Sequence, residues 1–331
     1  MCIFNGGRFL SAQLESIAAQ TRPPDELVAC DDGSSDGCEE VVREFARRVT
    51  FPTKLVVNEK NLGSTRNFEK AISLCSGDIT ALSDQDDVWY PNKLDRIERE
   101  FLRSGELVAV FSNADLIDDH SRVVGARLWD SFEFDLREQR RFAKGKALNI
   151  LVRHPVVTGA TMAFRRDAFD CLTPIPPGQI HDRWISLLLA ARGEFRLIPE
   201  PLMQYRQHTG QQIGPGPLSL RERTARASSI GAESYREEIE LFREFYQGLE
   251  ERKGNLPYAE YAQKQIGGKV AHLEHRASLP RARVARVPSV VRQALNGNYW
   301  RYAMGWKSIA KDLVILEPEA DAPNGTSRSG N

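Results

Sequence analysis

Residues 81–91 read ALSDQDDVWYP, and the reading of this stretch decides the fold. An apolar, β-rich run, ITALS over 79–83, ends in three carboxylates, Asp84, Asp86 and Asp87, within four positions. Like charges this close repel unless something positive stands among them. A bound divalent cation is the first candidate. A second apolar run ends in the same way, because LVAC at 27–30 leads into DDGSSDG at 31–37. Either loop alone also reads as a capped turn, since Asp, Ser and Gly favour helix N-caps and tight turns.

Working outward, β-rich runs at 27–30, 54–57, 79–83, 107–111 and 157–164 alternate with helical patterns at 8–20, 39–48, 65–75 and 92–103. That order predicts an α/β architecture with a mainly parallel sheet flanked by helices. In such sheets the loops after strand C-termini collect at one edge, where ligands bind. Both acidic loops then share that edge.

The chain has 331 residues, 41% of them hydrophobic, enough for one large domain or two. No apolar run reaches the length of a membrane span, and no basic-then-apolar leader opens the sequence, so a cytosolic location is the default expectation. Cys2, Cys30, Cys38, Cys75 and Cys171 are odd in number and include no CxxC pair, which argues against a disulfide framework or a structural zinc site. From Leu218 onward helical patterns dominate, as in ESYREEIELFREFYQGLEER, and Pro215 and Pro217 mark the expected boundary. The expected organisation is a catalytic domain at 1–214, a helical region at 215–316 and a tail of disordered composition at 317–331.

The net charge is zero but unevenly spread. Residues 1–217 hold 27 Lys and Arg against 31 Asp and Glu, whereas 218–316 hold 17 against 11. Between Arg276 and Lys311 there are eight basic residues and no acidic one. In the same region Tyr299, Tyr302, Trp306, Ile309 and Leu313 recur at helical spacing, with Arg301, Lys307 and Lys311 elsewhere on the helix. This pattern fits an interfacial helix on an anionic membrane, with 276–311 making peripheral contact, and equally a helix packed on the body of the protein.

The strings GxGxxG and GxxxxGK[ST] are both missing, which removes the Rossmann dinucleotide site and the P-loop. A sugar-nucleotide site remains, with one carboxylate reading the base or ribose and another holding a divalent metal on the diphosphate. ITALSDQDDV also fits the hhhhDxDx[TV] motif of haloacid-dehalogenase-type phosphatases, but no Gly-Asp pair follows Asp87 to supply their later acidic loop. The non-enzymatic alternative is a module that binds a sugar nucleotide without turning it over.

FNGGRFLSAQLESIAAQT, DDGSSDG, NEKNLGSTRNFEKAI, GDITALSDQDDVWYPNKL, VTGATMAF, HDRW and YRQH follow one another along the chain. In this order they resemble glycosyltransferase family 2, the inverting enzymes of GT-A fold, and in particular a bacterial branch often labelled rhamnosyltransferase. The resemblance is strong over 2–214 and looser at GNYWRYAMGWKSIAKDL near the C-terminus. It implies that Phe4 lies beside the nucleotide base and that Asp32 hydrogen-bonds the base. Asp84 and Asp86 match the family's DXD metal motif, with Asp86 as the direct ligand of Mg2+ or Mn2+, Asp84 nearer the ribose and Asp87 supporting the loop.

The resemblance also implies that Asn61, Arg66 and Asn67 lie in the stretch closing over the nucleotide, and that His208 completes the metal shell or touches the diphosphate. Gly159 resembles the acceptor cleft, where a missing side chain admits a sugar. Asp182, in the first turn of an expected helix in HDRWISLLLAARG, matches the catalytic base; an N-cap is the structural alternative. The implied reaction moves a sugar from a dTDP- or UDP-sugar donor to a saccharide or lipid-linked acceptor in surface polysaccharide synthesis, at or near the inner membrane face. The first strand is expected to be largely missing, since only Met1, Cys2 and Ile3 precede Phe4. A Val/Ile-rich run is therefore expected upstream in the reading frame.

Overall fold

In the computed structural model the described residues are 1–208, 232–280 and 282–314. The expected boundary at Pro215 and Pro217 and the tail at 317–331 lie outside them. The fold is mixed α/β, and it resolves the alternating pattern of the sequence into two sheets. The first sheet has order β1-β2-β3, with β1 at Cys2–Ile3, β2 at Leu27–Asp31 and β3 at Thr53–Val57, all parallel. The second has order β4-β8-β6-β9-β5, formed by Ile79–Ala81, Met162–Arg165, Leu107–Ile117, Glu194–Arg206 and Val88–Trp89, with β7 at Val123–Arg127 paired to β6.

Within this second sheet only β6 and β9 run parallel; β4–β8, β6–β8, β6–β7 and β5–β9 are antiparallel. The expectation of a mainly parallel sheet therefore holds for the first sheet and gives way to a mixed one in the second. The cause lies in 157–164: it forms a 3-10 turn and the short return strand β8, which slots antiparallel between β4 and β6. The strand before Phe4 comprises two residues, yet it bonds on both sides. Cys30 N–H donates to Met1 O and Asp32 N–H to Ile3 O, while Cys2 N–H donates to Ser83 O at 3.2 Å, just past β4. In this way β1 joins the edge of one sheet to the other.

Helices α1 (Gly7–Ala18), α2 (Cys38–Arg48), α3 (Ser64–Ser73) and α4 (Lys93–Arg103) each bury one apolar stripe at helical spacing. Leu10, Leu14 and Ile17 of α1 and Val42 and Phe45 of α2 share a core with Leu27, Ala29, Leu116, Met203 and Tyr205. Ile97 and Phe101 of α4 pack with Leu107, Val110, Ala163, Ile198 and Leu202. Each such side chain contributes roughly 1.5–3 kcal/mol on burial, so the two layers hold the sheet edge, with its acidic loops, in fixed register.

The chain forms two compact units: Met1–Pro217 with Glu244–Ile266, and Leu218–Arg243 with Gly267–Asn331. The first unit therefore takes in a stretch of helix from well beyond residue 214. Phe245 meets the Trp184 ring edge-on at 5.0 Å, which draws 244–266 into that unit.

The second unit has its own core of Val290, Tyr299, Ala303 and Ile309, flanked by Leu279, Ala294 and Leu313. At its centre Asp312 takes two hydrogen bonds from Arg276, at 2.7 and 2.8 Å, and one from the Tyr299 hydroxyl at 2.7 Å. Of the face expected to lie on a membrane, Tyr299, Tyr302 and Ile309 are buried in this unit, and only Trp306 is exposed. That aromatic face is spent on folding the unit. No described helix is long and apolar enough to cross a membrane.

Candidate active site

Three loops meet at the edge shared by the sheets. Asn5, in the turn after β1, has a left-handed backbone (φ 49°) that Asn tolerates well. Its side-chain oxygen accepts from Ser35 N–H at 2.9 Å, its own N–H donates to the Ser34 hydroxyl, and Gly7 N–H donates to Asp36 at 2.8 Å. The first turn is thus clasped to the DDGSSDG loop. On its other side Phe4 N–H donates to Gln85 Oε1 at 2.7 Å, and Gln85 Nε2 donates back to Phe4 O at 3.0 Å. Gln85 lies between Asp84 and Asp86, so one amide couples the first turn to the acidic loop. A Cβ on Gly6 would stand 2.2 Å from the Gln85 amide, which explains the glycine there.

Asp32 is buried, and three hydrogen bonds of 2.8 Å engage its carboxylate, from Asn58 Nδ2, Leu62 N–H and Gly63 N–H. They fill three of its roughly four acceptor sites. The structure therefore turns Asp32 toward the 58–63 loop. Asn61 Nδ2 donates to Asp32 O, buried Asn67 donates to Cys30 O and accepts from Asn58, and Arg66 pairs with Glu69 on α3. Phe4 is exposed.

The acidic loop answers its own charge problem partly from within. Arg206, fully buried at the end of β9, donates through Nε to Asp86 O at 2.7 Å and through Nη1 to Asp118 O and the Ser121 hydroxyl, each at 3.0 Å. Its backbone N–H donates to Asp87, and its guanidinium lies over the Phe9 ring. Lys93, at the start of α4, is also fully buried: its ammonium donates to Ala160 O at 2.7 Å and lies over the Trp89 ring.

Burial lowers Lys93 to about 7 against the pull of the Asp87 and Asp84 charges. Burial, then the charges of Asp86 and Asp182, push Asp84 up to about 7. Asp87 rises well above the usual carboxylate range, by burial and then by Asp86 and Asp84. Arg206 and Lys93 thus share space with three carboxylates, and burial disfavours the charged forms of Lys93, Asp84 and Asp87 alike.

His208 Nε2 stands 2.8 Å from Asp86 Oδ2, and its ring lies 5.0 Å from Phe9. Among the described residues no three of His, Cys, Asp and Glu stand together as a metal cage. Magnesium and manganese sites shared with a diphosphate need no cage, because such hard cations are held by one or two protein groups, substrate oxygens and water. Asp86 with His208, and Asp84 in a cluster that repels further negative charge, fit that kind of site.

Asp182 lies in the first turn of helix His181–Arg192, as expected, with Oδ2 3.4 Å from Gly159 N and Oδ1 2.6 Å from Arg183 N. Its charge reaches Asp84. At Gly159 the space a side chain would take is filled by a neighbouring ring. A Cβ there would come 2.9 Å from His181 Nε2, so the missing side chain admits the His181 ring, which stacks on Phe68 at 4.1 Å. His181 is buried with Nδ1 unpaired among the described residues, and burial lowers its pKa against the opposing Asp182 charge.

Lys93, Arg206 and Gln85 escaped the sequence reading. PNKL looks like an ordinary helix start, and only the packing of Ala160 and Trp89 around the ammonium reveals the buried cation. Arg206 carried a faint signal, as a charge directly after an apolar strand.

A family model, glycosyl transferase family 2, matches residues 1–173. The chain belongs to glycosyl transferase family 2. Its relatives include an uncharacterized glycosyltransferase of Nostoc, 28% identical over 214 residues that cover 62% of each chain. They also include the UDP-Glc:alpha-D-GlcNAc-diphosphoundecaprenol beta-1,3-glucosyltransferase WfgD of Escherichia coli, 31% identical over 120 residues, 36% of this chain and 46% of that one. The chain spans between 47% and 62% of the length of the first curated relatives it matches. Among solved structures, S. aureus TarS 1-349 in complex with UDP-GlcNAc superposes with a TM-score of 0.53 at 13% identity, over 88% of this chain and 79% of that one. The fold is thus the GT-A fold of family 2 rather than that of a phosphatase.

Proposed function

We propose that this family 2 protein is a metal-dependent inverting glycosyltransferase, moving a sugar from a nucleotide-diphosphate donor to a hydroxyl of a saccharide or lipid-linked saccharide. The observation that carries the reading is the convergence, at one sheet edge, of the acidic loop, His208 and a separate carboxylate, Asp182, whose charge is felt at Asp84. A single turn or cap would not bring a carboxylate from a helix 95 or more residues away against that loop.

In this reading Phe4 and the 58–63 loop, held by Asp32, border the nucleotide, with Asn61 and Arg66 at its rim. Asp86, with Asp84 and His208, would hold Mg2+ or Mn2+, which when bound supplies positive charge to the diphosphate. Asp182 takes the proton of the acceptor hydroxyl as that oxygen bonds to C1 of the sugar; the bond from C1 to the diphosphate oxygen breaks and its electron pair leaves with the diphosphate. Attack from the opposite face inverts C1. Arg206 keeps the loop in place before the donor arrives, through its bonds to Asp86 O and Asp87. The name of the E. coli relative supports a UDP-sugar donor and a diphosphoundecaprenol-linked acceptor; a dTDP-sugar, including one carrying rhamnose, is the variant implied by the motif resemblance.

Asp182→Asn tests the assignment. Transfer falls by about 10²- to 10⁴-fold, the range of positioned base catalysis, while calorimetric affinity for the sugar nucleotide stays within about three-fold. Full activity in the variant refutes the base assignment, and affinity without product in the parent protein identifies a non-catalytic binding module.

A further inference from the structure

The helix Arg283–Leu295 in the second unit carries an apolar stripe that nothing in the described structure covers. Arg286 and Val290 are its buried positions. On the opposite side lie Val284, 85% exposed, and Leu295, 83% exposed, with Val287 and Val291 between them about half exposed. Their spacing of three, four and four residues keeps all four on one face over the whole helix. Water-facing helix positions do not ordinarily repeat Val and Leu in register; such a stripe marks an interaction surface.

Charge identifies the occupant. At about 100° per residue, Arg283 and Arg292 fall on the two flanks of the stripe, and both are exposed. Arg301 and Lys307 are exposed on the next two helices, and no acidic residue occurs between Arg276 and Lys311. Two copies meeting through this face would bring like charges together. An anionic bilayer would instead receive the apolar stripe at the headgroup boundary and the arginines at its phosphates.

We propose that the exposed face of helix Arg283–Leu295 is a docking surface for anionic phospholipid membranes. The surface lies within the 276–311 stretch expected to make peripheral membrane contact, but on helix Arg283–Leu295 rather than on the aromatic face of Tyr299, Tyr302 and Ile309, which are buried, and it stands independently of the catalytic reading.

Co-sedimentation of the full chain with phosphatidylcholine vesicles, with and without phosphatidylglycerol, tests the inference. The protein is expected to pellet with the anionic vesicles only, and to be released when salt is raised from about 0.1 M to about 0.5 M. Arg283→Gln with Arg292→Gln weakens partitioning roughly 30-fold, at about 1 kcal/mol per basic residue near such a surface. Val284→Ser with Leu295→Ser weakens it by about ten-fold or more. All four side chains are exposed, and unchanged thermal melting of both variants confirms that the fold is kept. No pelleting, equal pelleting with neutral vesicles, or full binding by either folded variant overturns the proposal. So does a concentration-dependent dimer in sedimentation velocity that Val284→Ser with Leu295→Ser abolishes, since a second copy would then be the occupant.

Discussion

Gly6→Ala tests the coupling of the first turn to the acidic loop. The new methyl would stand 2.2 Å from the Gln85 amide, a distance no packed pair sustains, so the flexible Gln85 side chain must swing away. Both hydrogen bonds to Phe4 are then lost. They are exposed to water, which places each in the lower half of the usual range, at about 0.5–1 kcal/mol, so Gly6→Ala destabilises by about 1–2 kcal/mol. Gln85→Ala breaks the same two bonds directly and loses about the same. The double variant has no clash left and no bonds left to lose, and so costs about 1–2 kcal/mol again rather than the sum. The coupling energy, about 1–2 kcal/mol, exceeds the few tenths by which independent sites depart from additivity. Urea unfolding of the four proteins measures it. If the two single effects simply add, the first turn and the acidic loop are not joined through Gln85.

Asp86→Ala weakens binding of a sugar nucleotide in the presence of manganese by roughly ten-fold or more, the lower end of what disturbed metal sites lose, and leaves metal-free binding unchanged; calorimetry with and without the ion separates the two. In the second unit, burial and then the Arg276 charge lower His272 to about 4 from an ordinary 6.5. The folded chain therefore resists protonation that the unfolded chain accepts. The stability this represents is complete above pH 6.5 and is lost as pH falls toward 4, amounting to about 3 kcal/mol across that window. His272→Phe flattens that part of the pH–stability profile measured by thermal melting; an unchanged slope excludes His272 as its source.

The sequence carried much of this edge. Two β-rich apolar runs that each stop in carboxylates read as strands meeting loops at one edge, and the apolar spacing after His181 pointed to a helix with Asp182 in its first turn. Long-range pairing was harder to read. β8 pairs antiparallel between strands from distant parts of the chain, and nothing local in MAFR announces its direction. Spacing likewise showed that Tyr299, Tyr302 and Ile309 share a face but not which side of the unit that face meets; buried Asp312, drawing Arg276 and the Tyr299 hydroxyl inward, decides it. The packing around Asp32 and Gly159 was not legible locally, because the groups filling the space around them, the 58–63 backbone and the His181 ring, come from far along the chain.

Arg206 has a consequence beyond the loop it holds. The same guanidinium that grips Asp86 O also grips Asp118 O and the Ser121 hydroxyl, in the turn that links β6 to β7. That hairpin is thereby a mechanical handle. Lengthening it, or clamping it from outside, shifts the posture of the acidic loop without any change to the loop's own residues.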